Sequence, residues 1–110
     1  MKKSKKKIYI AGKVTGEDLA TCTMKFGTAQ KAVENAGFEA VNPLEVVGDW
    51  QATWKGAMRK CLKALVDCDA ILLLPCAKGS KGALIEKSVA IGLDMPYFDN
   101  VKSLKREFQK

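Results

Sequence analysis

Two carboxylates stand on consecutive elements in the middle of the chain, and their surroundings could do chemistry. Asp69 opens the apolar run Ala70-Ile71-Leu72-Leu73-Leu74, which Pro75 stops. The run is too short for a buried helix and suits a buried strand. A loop carrying Lys78 and Gly79 follows, then Ser80-Lys81-Gly82-Ala83-Leu84-Ile85-Glu86. Ser80 has the residue type and position of an N-cap. Glu86 falls in the second turn of the helix so begun. The free amides at that helix start, lying between the two carboxylates, form an anion site. Two carboxyl groups beside an anion site fit work on a phosphorylated or hydroxylated sugar. The chain has no histidine, which removes Ser-His and Cys-His nucleophile pairs and most catalytic zinc sites. Acid-base chemistry is then left to carboxylates, Tyr, Lys or Cys.

Each of these residues also has a plainer reading. Ala83 and Ala90 share the face of Glu86, with Gly82 close by. Such small neighbours leave room for a ligand, or they let the helix lie close to a sheet with Glu86 exposed. Asp69 can be a turn residue bonding local amides. Tyr9, within Ile8-Tyr9-Ile10-Ala11, can be a core tyrosine whose hydroxyl finds a partner. Lys78 and Lys81 can be simply solvated.

The elements that must position these groups alternate along the chain. Lys7–Ala11 reads as a strand ended by Gly12. Glu17 and Asp18 are expected in the first turn of a helix. Its apolar stripe runs through Leu19, Cys22, Phe26, Ala29, Val33 and Ala36, with Gly37 as its cap. Phe38 to Val41 is a second strand broken by Asn42-Pro43, and 44–48 a loop with at most a turn of helix. Trp50, Trp54, Ala57, Met58, Cys61, Leu62 and Leu65 mark a second amphipathic helix. Residues 69–74 form a third strand, 80–93 a third helix, 95–98 a short edge strand and 101–108 a last helix. The alternation predicts an α/β fold: a three-layer flavodoxin- or Rossmann-like domain over 8–110 with a four- to five-stranded, mainly parallel sheet. Ligands of such sheets bind beyond the carboxyl ends of the strands. That places Gly12, Thr15 and Gly16, then Asn42, then Ser80, Lys81 and Gly82 around the site. The loop after the first strand is neither a Walker loop nor GxGxxG, so the usual glycine signatures of ATP or dinucleotide binding are missing.

Charge and cysteine usage bound the rest. The net charge is +7, but residues 8–98 carry ten basic and ten acidic side chains. The basicity is terminal: Lys2, Lys3, Lys5, Lys6 and Lys7 form a leader over 1–7 that is expected to be disordered. A solvated leader explains it, and specific nucleic-acid binding is not expected. Cys22, Cys61, Cys68 and Cys76 include no CxxC pair. No metal site or cofactor is expected, and the apolar runs are too short to span a bilayer. These features describe a cytoplasmic protein.

At this point the residues resemble a family. Ile8-Tyr9-Ile10-Ala11-Gly12, Asn42-Pro43, Met58-Arg59, Cys68-Asp69-Ala70 and Ser80-Lys81-Gly82-Ala83 with Glu86 resemble small bacterial and phage proteins of the DUF4406 type. These are similar to nucleoside 2-deoxyribosyltransferases and 2-deoxynucleoside 5-phosphate N-hydrolases. The resemblance implies a single deoxyribosyltransferase-like domain that cleaves or transfers the N-glycosidic bond of a nucleoside or its 5-phosphate. It implies Glu86 as nucleophile, Tyr9 as its orienter and Asp69 as the acid or base-positioning group. Ser80 with the amides of Lys81 and Gly82 would hold the 5-hydroxyl or 5-phosphate. It also implies a homodimer or higher homo-oligomer. The chain departs from those enzymes at Cys76-Ala77-Lys78-Gly79, where relatives often carry a glycine-tryptophan pair. A non-catalytic nucleotide sensor on the same fold is the alternative.

Overall fold

The computed structural model describes residues 5–109. Residues 1–4 of the basic leader lie outside the described residues, and Lys7, counted with the leader above, opens the first strand. The elements run β1 (Lys7–Ala11), α1 (Leu19–Asn35), β2 (Glu39–Val41), α2 (Pro43–Val47), α3 (Trp54–Val66) and β3 (Ala70–Leu73). A 3-10 turn at Pro75–Gly79 follows, then α4 (Lys81–Gly92), β4 (Tyr97–Phe98) and α5 (Val101–Phe108).

All pairings are parallel, in the order β2-β1-β3-β4. The sheet is therefore four-stranded and flavodoxin-like. The chain moves outward from β1 to β2, then crosses back to place β3 on the other side of β1. That reversal opens a crevice at the carboxyl ends of β1 and β3.

The two-residue period of the strands divides the core into two halves. Tyr9, Ala11, Ile71 and Leu73 point to one face, where they pack with Cys61 and Leu65 of α3 and Ala83 and Ala90 of α4. Ile8, Ile10, Ala70 and Leu72 point to the other, against Cys22, Phe26 and Val33 of α1 and Leu104 of α5. The result is a three-layer α/β/α sandwich. The α1 stripe differs from the expectation at its first member: Leu19 is 51% exposed, off the core face. Phe38 and Phe98 meet Phe108 edge-on, at centroid distances of 5.9 and 6.2 Å, closing the α5 side.

Local chemistry sets the element ends. The Asp18 carboxylate accepts from the Thr21 amide and hydroxyl, so Asp18 is the N-cap of α1 rather than a first-turn residue. Gly37, at φ +96°, sits just past the helix, where the left-handed backbone favours glycine. Residues 44–48, expected as mostly loop, begin instead inside α2, because Asn42 caps it and Pro43 starts it. Thr53 caps α3, which leaves Trp50 outside that helix.

Phe26 is fully buried and Met24, on the same helix, is 73% exposed. Phe26→Ala should lower the unfolding free energy by about 3–5 kcal/mol. Met24→Ala should change it by less than about 0.5 kcal/mol. Urea denaturation followed by circular dichroism measures both.

Candidate functional site

The floor of the site is a buried hydrogen bond. The hydroxyl of Tyr9, central in β1, donates to Oε2 of Glu86 at 2.5 Å. Tyr9 is fully buried and Glu86 is 5% exposed. Glu86 faces the sheet because Ala83, Glu86 and Ala90 share the buried side of α4. The two alanines are small enough for the helix to approach β1 and β3 and bring the carboxyl to the tyrosine. Burial pushes the Glu86 carboxyl up to about 7, against the opposing pull of the Tyr9 hydrogen bond. Burial, and then the neighbouring Glu86 charge, hold the Tyr9 phenol far above its ordinary range. Tyr9 therefore stays protonated and remains the donor.

Above this pair lies a cavity of about 660 Å³. Gly12, Thr15 and Gly16 line it from the loop after β1, Ser80 and Gly82 from the start of α4, and Glu86 from below. Six of the seven predicted ligand-binding positions are glycine, threonine, serine or lysine, and five of the seven line this one space. The loop after β1 is pinned. The Lys13 amide donates to the Cys76 sulfur at 3.2 Å, and the Lys25 ammonium donates to the Lys13 carbonyl at 2.8 Å. Lys25 also pairs with Glu17 at 3.4 Å. Burial opposes the Lys25 charge, but hydrogen bonds to Cys76 and Glu17 outweigh it and hold the ammonium above its ordinary value. Gly16, at φ +85°, makes the left-handed turn that the loop requires.

Three predicted residues lie elsewhere. Asp69 precedes β3, at the amino end of the sheet, and is exposed. Its Oδ2 accepts from the Lys7 amide at 2.8 Å, and its own amide donates to the Lys7 carbonyl at 2.8 Å. It ties β3 to β1 and does not converge with Glu86. Asn42 is buried, but its side chain works for the fold: Oδ1 accepts from the Leu44 amide at 2.9 Å and Nδ2 donates to Gln30 at 3.1 Å. Lys81 stands outside the cavity, with its ammonium 4.9 Å from the centre of the Trp54 ring. Ser80 caps α4 by accepting from the Ala83 amide at 3.1 Å.

The structure adds a wall that sequence reasoning missed. Trp54, Ala57, Met58 and Cys61 of α3 line the cavity, as does Trp50 before it. Cys61 is buried beside the Tyr9 hydroxyl, and burial raises its thiol above the ordinary value, so it is neutral. The spacing of these residues was visible as a helix stripe, but a stripe reads the same whether it faces a core or a cavity. Among the described residues no three His, Cys, Asp or Glu side chains gather in a way that could hold a metal ion, and no helix is long and apolar enough to cross a membrane.

A flavodoxin-like α/β domain with a cavity at its topological switch point defines the broad class. Within it, residues 6–98 match a family described as a domain of unknown function, DUF4406, and the chain belongs to that family. A search of the curated proteins finds no match.

Burial of Glu86 has a consequence for stability. In the unfolded chain its carboxyl ionises near the ordinary 4.5, and in the folded chain near about 7. Between those values the folded state keeps a proton that the unfolded state has released. The Glu86 contribution is therefore most favourable below about 4.5, declines as pH rises through about 7, and then levels. The loss is on the order of 3 kcal/mol. Glu86→Gln keeps an acceptor for Tyr9 and removes the charge. It should be more stable than wild type at pH 8 and close to it at pH 5, as measured by urea denaturation at the two pH values.

Proposed function

We propose that this protein cleaves or transfers the N-glycosidic bond of a nucleoside, in the deoxy series or as its 5-phosphate, with Glu86 as nucleophile. The observation that carries this reading is the Tyr9–Glu86 hydrogen bond at the bottom of the cavity. A carboxylate held by one oxygen leaves the other to attack, and a phenol that stays protonated orients it. The sugar would lie over Glu86 with its 5-substituent toward Ser80 and the amides of Lys81 and Gly82, where the helix start favours an anion.

The step balances without a redox partner. An ionised Glu86 oxygen bonds to the anomeric carbon as the bond to the base breaks. The electron pair leaves on the base nitrogen, which takes a proton from water entering by the mouth. Water, or a second base in the transfer reaction, then attacks the same carbon and frees the carboxylate. Asp69 has no part in this scheme. Assembly into homo-oligomers belongs to the same proposal and is measured by light scattering.

A second reading has its own support. With its carboxyl raised to about 7, Glu86 is only about half ionised at neutral pH. That suits a hydrogen-bonding group in a nucleotide sensor as well as a nucleophile. A sensor gains about 2.7 kcal/mol of stability at ligand one hundredfold above its dissociation constant and releases no base.

Incubation with deoxynucleosides and their monophosphates, with released base scored by chromatography, separates the two. The expected result is base release that rises with pH through about 7 and vanishes in Glu86→Gln. Tyr9→Phe should be slower by about 10²- to 10⁴-fold, and Asp69→Asn should match wild type. Equal release by wild type and Glu86→Gln overturns the nucleophile. Thermal stabilisation by nucleotides with no release from any substrate favours the sensor.

A further inference from the structure

The α3 wall of the cavity carries a further inference. Trp54 is 39% exposed. The Lys81 ammonium sits 4.9 Å from the ring centre on one side. Lys81 does not line the cavity but a separate groove along the outside of α4, with Leu84, Ile85 and Ser88. Trp54 does line the cavity. Trp54 thus meets a cation that stands outside the cavity while itself lining the cavity.

The indole edge is seated as well. A Cβ at Gly82 would stand at ordinary contact distance, 3.8 Å, from the indole Nε1 and 3.1 Å from the Met58 sulfur, which would have to give slightly, so the first turn of α4 lies close against both side chains. One turn along α3, Met58 continues the wall, and Cys61 completes it beside the Tyr9–Glu86 pair. The wall from Trp54 through Ala57 and Met58 to Cys61 offers flat and apolar surface, with the indole N–H and the thiol as its polar groups.

We propose that the cavity side of Trp54 is a stacking platform for a planar heteroaromatic base, and that Lys81 is the positioning residue that fixes the ring from behind. The identity of the ligand as a nucleoside rests on the glycosidic reading above. Stacking uses the π-face that every base has, so it tolerates different bases. A thioether beside the ring adds contact of the same undemanding kind. The platform therefore selects for an aromatic leaving group and discriminates weakly between purines and pyrimidines.

The test uses full-length Glu86→Gln protein, which binds without turnover, carrying Trp50→Phe so that Trp54 is the one indole. Free adenine and 2-deoxyribose 5-phosphate are titrated separately by calorimetry and by tryptophan fluorescence. Adenine should quench Trp54, and Trp54→Ala should weaken adenine binding by roughly tenfold or more. Trp54→Phe should restore most of that affinity, while the sugar phosphate binds Trp54→Ala as it binds the parent. Lys81→Met should also weaken adenine, which has no phosphate for the lysine to pair with. In the parent with an intact Glu86, Trp54→Ala should raise KM far more than it lowers kcat. Equal adenine affinity in the parent and Trp54→Ala, or no adenine binding by the parent, overturns the platform. Trp54-dependent adenine binding in a protein that never releases base supports the platform and removes the glycosidic reading.

Discussion

Burying the Glu86 carboxyl against the Tyr9 hydroxyl is the constraint around which the rest of the molecule is arranged. Taking a carboxyl out of water is costly, and one phenolic hydrogen bond offsets that cost only in part. Burial remains the larger effect, which is why the carboxyl ionises so late. A fold keeps such a group where the surroundings hold it in place. Here they are the alanines on the same face of α4, the central strand β1 and the neutral thiol of Cys61. The bond also ties the helix to the middle of the sheet, so the site floor and the core are one structure.

The two faces of the sheet divide the labour. The face toward α1 and α5 is packed with Ile8, Ile10, Phe26 and Leu104 and holds the domain together. The face toward α3 and α4 is packed near the amino ends of the strands and opens toward their carboxyl ends. There the chain reverses its order across β1, and the loops after β1 and β3 both border the cavity. The first of those loops is held by contacts from Cys76 and Lys25. A cavity framed in this way is formed before any ligand arrives, which reduces the ordering cost of binding.

Much of this was legible in the sequence. β1 and α5 have the bounds that their residues indicated, and the alternation of strand and helix led to the parallel sheet. Tyr9, Gly12, Thr15, Gly16, Ser80, Gly82 and Glu86 do come together. Asp69 was misplaced because nearness to a strand was taken for nearness to its useful end. In a parallel sheet Asp69, one residue before a four-residue strand, lies roughly 13 Å from the strand's far end. Asn42 is at the correct end, but its short amide side chain satisfies a helix start first. Trp54, Met58 and Cys61 read in the sequence as one stripe of an amphipathic helix, and they line the cavity. Periodicity reports which residues share a side of a helix, not whether that side meets packed atoms or open space.

The exchange of hydrogen bonds between Lys7 and Asp69 has a practical meaning for handling the protein. It marks where the chain enters the sheet, on the rim away from the cavity mouth. A fluorophore or resin linkage attached upstream of Lys7 joins the domain from behind. Single-molecule or surface-capture measurements made through such a linkage leave the approach to Glu86 clear.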